Sequence, residues 1–436
     1  MFQTFRNAWK VVEVRKKILY TLLIILIFRI GCAITVPFLD ASVLAAELNG
    51  STGGNFLNYL DILSGGALSK GTLFALSIQP YINASIIVQL LTYALPPLER
   101  LQKEGEEGRK KLQKITSVVS MVIALVMSYA YYMLQRNRGA VQYTEGFPGI
   151  FTAIVIIVAF VAGSSLIVWL GNQVNEKGIG NGISIILFAG IVARGPSAVL
   201  KMFELVKTDT KMILVVPVIL IVFVVMIGFI VFMNESERRI PIQYAKRVVG
   251  RKQYGGQNTH IPVKVAMSGV MPIIFAMSIL AIPQTLSMFI EPKAVPETFW
   301  EKFYVGFLSI FNYNTIWYAV IYFLLIIAFN YFYVSMQYNP IEIANNLRQN
   351  NGGIPGIRPG KPTSDFIQRV LSKITLIGAI FLGIIAIFPI LTNLAIPSMQ
   401  ISMGGTSILI IVSVVLETTR TLESQLMMRH HKGFLE

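Results

Sequence analysis

The feature that most constrains this chain is a series of apolar runs, each about as long as a membrane is thick. A hydrocarbon core about 30 Å thick needs roughly 20 helical residues to cross it. Hydrophobic residues make up 54% of the 436 residues, and charged residues only 14%, whereas a soluble domain carries about 25% charged residues. We therefore interpret the chain as an all-α polytopic membrane protein. Ten spans are predicted, at 18–36, 72–95, 115–134, 150–170, 182–200, 212–233, 265–289, 315–335, 370–392 and 403–419.

The distribution of Lys and Arg predicts the orientation of these spans. One set of loops and tails carries 27 of the 37 basic residues, and the opposite set carries 9. Because cytoplasmic loops hold the excess of cations, we predict that both termini are cytoplasmic. The long loops 234–264 and 336–373 are predicted to lie on the same face.

Two of the ten spans need a separate argument. The fifth contains a short apolar run, Gly182–Ala193, that stops at Arg194. Omitting it would move the basic loop 234–264 to the other face, so the span is kept, and Arg194 is expected to snorkel outward. The first span is interrupted by Arg29 and is longer than a usual signal-peptide core, which favours an uncleaved helix.

Ten spans divide into two halves, predicted at 1–200 and 201–436. Because five is an odd number, the second half enters the membrane from the opposite side, which is the topology of an inverted repeat. Prolines occur in the second span of each half, and unusually short apolar runs occur in the last span of each half. Irregular spans in corresponding positions predict a substrate path between the halves; the alternative is that prolines are simply common in membrane helices.

Several classes of function are disfavoured by what the chain lacks. No Asp or Glu lies within the core of a span, since Glu417 is near a cytoplasmic end, whereas ion-coupled carriers usually place a carboxylate at mid-membrane. One cysteine and three histidines argue against a metal or disulfide framework. The sequence around Gly360 and Lys361 lacks the upstream glycine and the Ser or Thr of a P-loop. We expect no cofactor, metal or enzymatic activity; a solute carrier with inverted repeats remains the alternative.

Two further features bear on the path. Ile78 and Ile82 are four residues apart, as are Ile183 and Leu187, so each pair shares a helix face; such pairs usually face lipid or a packed core. The segment 55–70 is apolar but contains Gly65 and Gly66 and is too short to span. We interpret it as a surface helix or a re-entrant element, and a plug in a pore mouth would satisfy its backbone.

Seven motifs follow one another along the chain: SGGAL at 64–68, PYINASII at 80–87, KEGE at 103–106, GIGNGIS at 178–184, YAKR at 244–247, PGIRPG at 355–360 and GGTS at 404–407. In this order they resemble the SecY family, the channel subunits of the bacterial protein-conducting translocase. The resemblance covers essentially the whole chain.

The resemblance implies an hourglass channel between the two halves, closed by a plug helix and able to open sideways between spans two to three and seven to eight. It would pass unfolded preproteins across the bacterial plasma membrane and release signal sequences and membrane segments into lipid. The partners implied are SecE and SecG subunits, the ATPase SecA or the ribosome as the driving partner, signal sequences and membrane lipids.

The resemblance also implies roles for particular residues. The pore ring comprises Ile78, Ile82, Ile183, Leu187, Ile274, Ile279 and Ile410; the plug at 55–70 includes Leu60, Leu63, Ser64, Gly65 and Gly66; and the docking residues for SecA or the ribosome are Arg239, Arg247, Arg348 and Arg358. Asn83, Gln89 and Ser278 are candidate polar groups on the gate face, where they would bond across helices; hydrogen bonding within their own helices is the alternative.

Overall fold

A computed structural model describes residues 6, 8–40, 42–43, 61, 64–208, 212–244, 247–249, 252–254, 258–287, 298–312, 315–395 and 405–430, and all structural statements concern these residues. Each of the ten predicted spans overlaps at least one described helix. In chain order the helices are α1 Val12–Gly31, α2 Gln79–Ala94, α3 Pro96–Lys103, α4 Glu106–Asn137, α5 Gly146–Lys177, α6 Gly182–Ala193, α7 Gly195–Thr208, α8 Met212–Glu235, α9 Met271–Ser287, α10 Phe299–Ile310, α11 Ile316–Gln337, α12 Pro340–Gln349, α13 Lys361–Ala395 and α14 Gly405–His430.

Length and composition alone identify six helical stretches in the described part of the chain as able to cross a membrane. A seventh is added if α2 and α3, which meet at a bend of 101°, count as one span. The doubtful fifth span is among the six, as the stretch Gly182–Leu200. The prediction of that span from the charge distribution is therefore supported.

The second span begins later than the sequence suggested. Residues 73–78 form turns, and the helix starts only at Gln79, with Pro80 in its first turn. Proline suits a first helical turn because the N–H that it lacks would have no helical partner there. Ser77 has a positive φ of 51°, which ends any helix coming from the N-terminal side. Ile78 consequently caps α2 instead of lying inside it.

Two hydrophobic cores are each confined to one part of the chain. The first packs Val36 from the α1 connection against Tyr131 of α4 and Phe160 of α5. The second joins Ile230 of α8 and Tyr322 of α11, with further residues from α9, α13 and α14. Helices of the N-terminal and C-terminal parts therefore pack largely among themselves, and a third core connects them.

The two long loops fold together into a small antiparallel sheet. Its strands lie in the order β4–β1–β5, where β1 is Glu237–Tyr244, β4 is Asn258–Lys264 and β5 is Gly352–Gly353. Strands β2, Arg247–Val249, and β3, Lys252–Tyr254, form a separate hairpin. Alternate β1 residues Ile240 and Ile242 are buried against side chains of α12 and α13, as expected for a strand with one covered face.

Candidate functional site: the constriction between the two halves

The third core, which joins the two halves, consists largely of aliphatic side chains. Ile78, Ile82 and Leu187 from the first half pack in one cluster with Ile410 of α14, and all four are buried. Ile183 and Ile274 are half-buried and pack against the same cluster. The structure thus brings together six of the seven residues expected in a ring. The seventh, Ile279, is half-buried on α9 and is not part of this cluster.

The start of α6 is fixed by two asparagines, which positions Ile183 and Leu187. The Asn181 side chain accepts hydrogen bonds from the backbone N–H groups of Ile183 and Ser184. Asn175 Oδ1 accepts a hydrogen bond of 2.8 Å from the N–H of Gly182. These bonds satisfy donors that have no partner within a helix. The motif GIGNGIS therefore sets where the sixth helix begins and which of its faces meets the cluster.

A turn region beside the constriction, which we call the Ser64 turn (residues 61 and 64–70), is held by internal hydrogen bonds. The buried Ser64 hydroxyl donates to the Asp61 carbonyl at 3.0 Å and accepts from the Leu68 N–H at 3.2 Å. Asp61 Oδ1 accepts a bond of 2.7 Å from the Ser69 N–H. Residues 64–70 form turns, not a helix. The plug residues Leu60 and Leu63 lie outside the described residues.

Two arginines at the ends of other helices hold the Ser64 turn. Arg194, at the end of α6, forms an ion pair with Asp61, whose side chain is only 2% exposed. Arg29, in the last turn of α1, donates to the Gly65 carbonyl at 3.3 Å. The expectation that Arg194 snorkels outward is wrong, because a buried carboxylate lies within its reach and an unpaired buried charge is costly.

Gly65 allows this turn to pack directly on α6. Its φ is +68°, and a Cβ atom there would lie 2.7 Å from Arg29 Nη1 and 3.1 Å from the Cα of Gly190. Any side chain would therefore be strained and would push the turn away from the helix. Sequence reasoning named this glycine but missed Asp61. The available signal was an aspartate in an apolar segment, with an arginine near the same end of spans one and five.

A second boundary, which we call the gate seam, is formed where α2 of the first half meets α9 and α11 of the second. Helix α9 contacts α2, and the rings of Tyr93 on α2 and Phe332 on α11 lie 5.6 Å apart. Behind this pair, Phe275 of α9 stacks edge to face on Phe329 of α11 at 5.8 Å. Aromatic and aliphatic contacts therefore dominate the seam.

Two of the three polar residues predicted on the gate face, Asn83 and Gln89, make their side-chain contacts within the first half. Asn83 Nδ2 lies 4.0 Å from the sulfur of Met127 on α4, and Gln89 Nε2 donates to Ser85 on its own helix at 3.5 Å. Ser278 is buried on α9. The buried side-chain oxygens of Asn83 and Gln89 have no hydrogen-bond partner among the described residues.

One of the four basic residues predicted to dock a partner, Arg348, lines a cavity between the two long loops. The cavity has a volume of about 610 Å³ and is lined by Tyr244, Arg348 and Pro355, among others. Arg358 is exposed on the adjoining loop, where its carbonyl accepts a bond from Thr363 Oγ1 at 2.9 Å. Pairing of Gln243 with Gly353 brings the two loops together.

The other two basic residues lie on the strands. Arg239, on β1, donates to Glu237 at 2.7 Å, and this hydrogen bond lowers the pKa of the Glu237 carboxyl. Arg247 begins β2. The four arginines thus lie on four different elements of the two long loops: Arg239 on β1, Arg247 on β2, Arg348 on α12 and Arg358 on the loop after β5.

This arrangement defines a class of protein: a polytopic α-helical membrane protein in which an aliphatic cluster joins helices from both parts of the chain, with a folded loop region outside the spans. The SecY family profile matches residues 72–419. The protein translocase subunit SecY of Mycobacterium tuberculosis is 39% identical over 451 residues, covering 100% of both chains. That of Thermotoga maritima is 38% identical over 448 residues, covering 100% of this chain and 98% of the other.

Solved structures agree on the fold. A protein-conducting channel superposes with a TM-score of 0.62 at 19% identity, covering 94% of this chain and 92% of the other. Sec61 from a canine ribosome–channel complex of the endoplasmic reticulum gives a TM-score of 0.57 at 17% identity, with the same coverage. The chain belongs to the SecY family. It is a bacterial multi-pass membrane protein and a protein-conducting channel subunit of the translocase, with the ten-helix fold of that family.

Proposed function

We propose that polypeptides cross this channel through the aliphatic cluster between the two halves, lined by Ile78, Ile82, Ile183, Leu187, Ile274 and Ile410. The observation that carries the proposal is the composition of this core: it joins the two halves, and the predicted ring residues from four helices converge in it. Ile279 belongs to the proposal only if opening rotates α9, because it lies outside the cluster.

Aliphatic side chains suit such a passage for two physical reasons. They present no fixed pattern of hydrogen bonds, so an extended chain of any sequence can pass between them. When the passage is empty, they close on one another, and a hydrophobic constriction resists wetting and ion flow. The halves 1–200 and 201–436 would move apart as units, consistent with two cores that each remain within one half.

We further propose that the segment 55–70 is the plug and that the Ser64 turn is its fixed base. The turn is tied to α1 and α6 through Arg29 and Arg194, and its Leu68 carbonyl accepts a bond of 3.0 Å from the Tyr131 hydroxyl. Removing the plug would then mean breaking a buried ion pair. The plug and its base would together hold the resting channel closed.

The gate seam is the proposed exit to lipid. Its contacts are mostly between apolar and aromatic groups, which lipid tails can replace at little cost when α2 and α9 separate. A signal sequence, itself an apolar helix, would leave through this seam by partitioning into the bilayer. Asn83, Gln89 and Ser278 would then contribute polar contacts to the moving signal sequence.

The energy for transport would come from partners, since we propose that this chain has no nucleotide site. The four arginines Arg239, Arg247, Arg348 and Arg358 would bind SecA or the ribosome on the cytoplasmic side, with both termini on that side and with SecE and SecG beside the helices. Ribosome-bound relatives among the solved structures support a ribosome partner. A basic surface suits acidic protein or ribosomal RNA.

The passage is tested by photo-crosslinkers at Ile82, Ile183 and Ile274 and a radiolabelled preprotein halted midway by a folded tag. We expect crosslinks from all three positions, and only when SecA and ATP are present. Leu220, which is exposed on α8, provides the lipid-facing control. If none of the three positions crosslinks while the lipid control behaves normally, the central passage is refuted, and a solute-uptake screen tests the carrier alternative.

Docking is tested separately by Arg358→Glu. We expect loss of ATP-driven translocation with normal insertion and folding, because the exposed guanidinium would be replaced by a charge of opposite sign. Lys110→Glu, an equal charge change at an exposed position in the loop 96–114, serves as the matched control. Normal translocation by the Arg358 variant would remove that residue from the partner surface.

A further inference from the structure

The short helix α10 has no role in the proposed passage, yet its side chains are unusually arranged. It lies in the connection between α9 and α11, on the side of the membrane opposite the loop 234–264. Its start is fixed by a capping box, in which Thr298 and Glu301 bond to each other's backbone N–H groups. Such a box stabilises a helix start, so α10 is built as a helix and not as a passive linker.

Three faces can be distinguished on α10 at 100° of rotation per residue. One face is half-buried against the protein, a second is exposed and apolar, and a third is exposed and polar or small. The first face carries Glu301, Tyr304, Val305 and Leu308; the second carries Phe299, Trp300, Phe303, Phe307 and Ile310; and the third carries Lys302, Gly306 and Ser309.

The exposed apolar face is a continuous row of aromatic rings. Phe299 is 75% exposed, Trp300 73% and Phe303 60%. Neighbouring ring centroids are 6.1 Å apart for Phe299 and Trp300, and 6.4 Å apart for Trp300 and Phe303. A face of this kind is costly in water, because each large apolar side chain gains about 1.5–3 kcal/mol when it is buried. Something apolar must therefore cover it.

We infer that the lipid headgroup boundary covers this face and that α10 is an interfacial helix. The ends of the neighbouring helices also expose apolar side chains, Leu286 on α9 and Ile316 and Trp317 on α11. Aromatic side chains are enriched at this depth of a bilayer. A helix that lies in the interface plane needs one apolar and one wet face. Lys302 and Ser309 provide the wet face beside the aromatic one.

This anchor would act on the gate seam. Gln284 of α9 donates a hydrogen bond of 2.7 Å to the carbonyl of Phe311, just after α10, and α9 and α10 are in contact. The outer end of α9 is therefore tied to a helix held at a fixed depth by its rings. The interfacial helix would restrain how far that end of the gate helix can tilt when the seam opens.

The test uses Trp300 as the sole tryptophan of the full chain, with Trp9, Trp169 and Trp317 replaced by phenylalanine. The protein is reconstituted into liposomes whose lipids carry bromine either near the headgroup or near the end of the acyl chain. We expect quenching of Trp300 to be several-fold stronger with bromine near the headgroup, and weak with aqueous acrylamide. The matched control moves the sole tryptophan to the polar face, as Trp300→Phe with Lys302→Trp. This tryptophan should be quenched strongly by aqueous acrylamide and weakly by brominated lipid.

Two results would overturn the inference. Equal quenching by acrylamide at positions 300 and 302 would place α10 in water. Protection of Trp300 from both brominated lipid and acrylamide would mean that a protein, not lipid, covers the aromatic face. If the sole-tryptophan chain fails to fold, Phe303→Cys in a Cys32→Ser background, labelled with an environment-sensitive fluorophore, gives the same reading, with Lys302→Cys as its control.

Discussion

The Ser64 turn and the gate seam lie on two sides of the same aliphatic constriction, and different forces hold them. At the Ser64 turn, polar groups find partners: Asp61 pairs with Arg194, and the Ser64 hydroxyl both donates and accepts. At the gate seam, ring contacts such as Tyr93 with Phe332 dominate. The nearby side-chain oxygens of Asn83 and Gln89 lack partners among the described residues.

This difference shows how one closed state can have two exits of unequal cost. Separating a buried ion pair leaves a desolvated charge, which costs about 3–5 kcal/mol. Separating two rings costs about 0.5–1.5 kcal/mol beyond their burial, and lipid can replace the lost contacts. We therefore expect the sideways exit to open more readily than the plug moves, unless a partner or a signal sequence supplies the difference.

The largest effect is expected from Arg194→Glu, which would put two like charges together at a buried site. The base of the plug should be displaced, and the resting ion conductance of planar bilayers containing the purified channel should rise strongly. Arg194→Lys, which keeps the charge, should change conductance little. Exchanging the two charges, as Asp61→Arg with Arg194→Asp, should restore part of the seal.

Deletion of 57–67 separates the failure of this pairing from the failure of the plug itself. If the deletion leaves conductance unchanged, the plug proposal is wrong. If the deletion raises conductance and Arg194→Glu does not, the plug stands, and the ion pair has no part in holding it.

The next largest effect is expected at the constriction that both regions share. Ile82→Asn or Ile410→Asn places an amide in an apolar ring, where an unpaired polar group costs about 1–3 kcal/mol. The closed state should weaken, so preproteins with defective signal sequences should be exported in a secretion assay. Ile82→Leu keeps the ring aliphatic and is the control. Unchanged signal selectivity in the Asn variants would exclude these residues from the ring.

A smaller effect is expected at the gate seam from Tyr93→Ala and Phe332→Ala. Each substitution should favour the open seam and raise the yield of signal-sequence crosslinks to lipid. A double-mutant cycle on this yield should give a coupling free energy between the two rings of about 0.5–1.5 kcal/mol. The control is Phe147→Ala, at a ring that is 82% exposed on α5. Its coupling free energy with Tyr93→Ala should be close to zero. A coupling near zero between Tyr93 and Phe332 would mean that their contact does not hold the seam closed.

The smallest effect is expected from Asn83→Leu, at a side-chain oxygen that has no hydrogen-bond partner within the described part of the chain. The unfolding temperature in detergent should stay the same or rise slightly, because little is lost with such a group. Asn330→Leu is the contrast, since the Asn330 amide accepts from Ser268 and donates to the Thr375 carbonyl at 2.8 Å. The free energy of unfolding of the Asn330→Leu variant should fall by about 1–3 kcal/mol. Equal losses in both variants would show that Asn83 is satisfied by a group outside this chain.

Sequence patterns were sufficient wherever the physical signal is local. The ten spans follow from apolar length, and the fifth was retained on the charge distribution alone, as the helix Gly182–Ala193 bears out. Ile78, Ile82 and Leu187 pack with Ile410 in one cluster, and their role as a pore ring stays a prediction from the family resemblance. Helical spacing gives the shared faces of the isoleucine pairs, although it does not say what those faces contact.

Sequence patterns did not predict the contacts between segments that are distant in the chain. Arg194 was expected to snorkel outward because the fifth span, which ends near it, was kept on the charge distribution; its partner, Asp61, lies 133 residues earlier in the chain. Ile279 was expected in the ring from the family resemblance, yet it lies outside the cluster.

The sequence by itself therefore determined that this chain spans a membrane ten times, which of its faces are basic and which family it resembles, because apolar length and charge distribution are properties of single segments. Only the tertiary structure decided which buried charges pair, which amide oxygens remain without partners among the residues that it describes, and which face of α10 is left exposed. Those outcomes depend on the mutual position of helices from different parts of the chain, and no local pattern encodes that position.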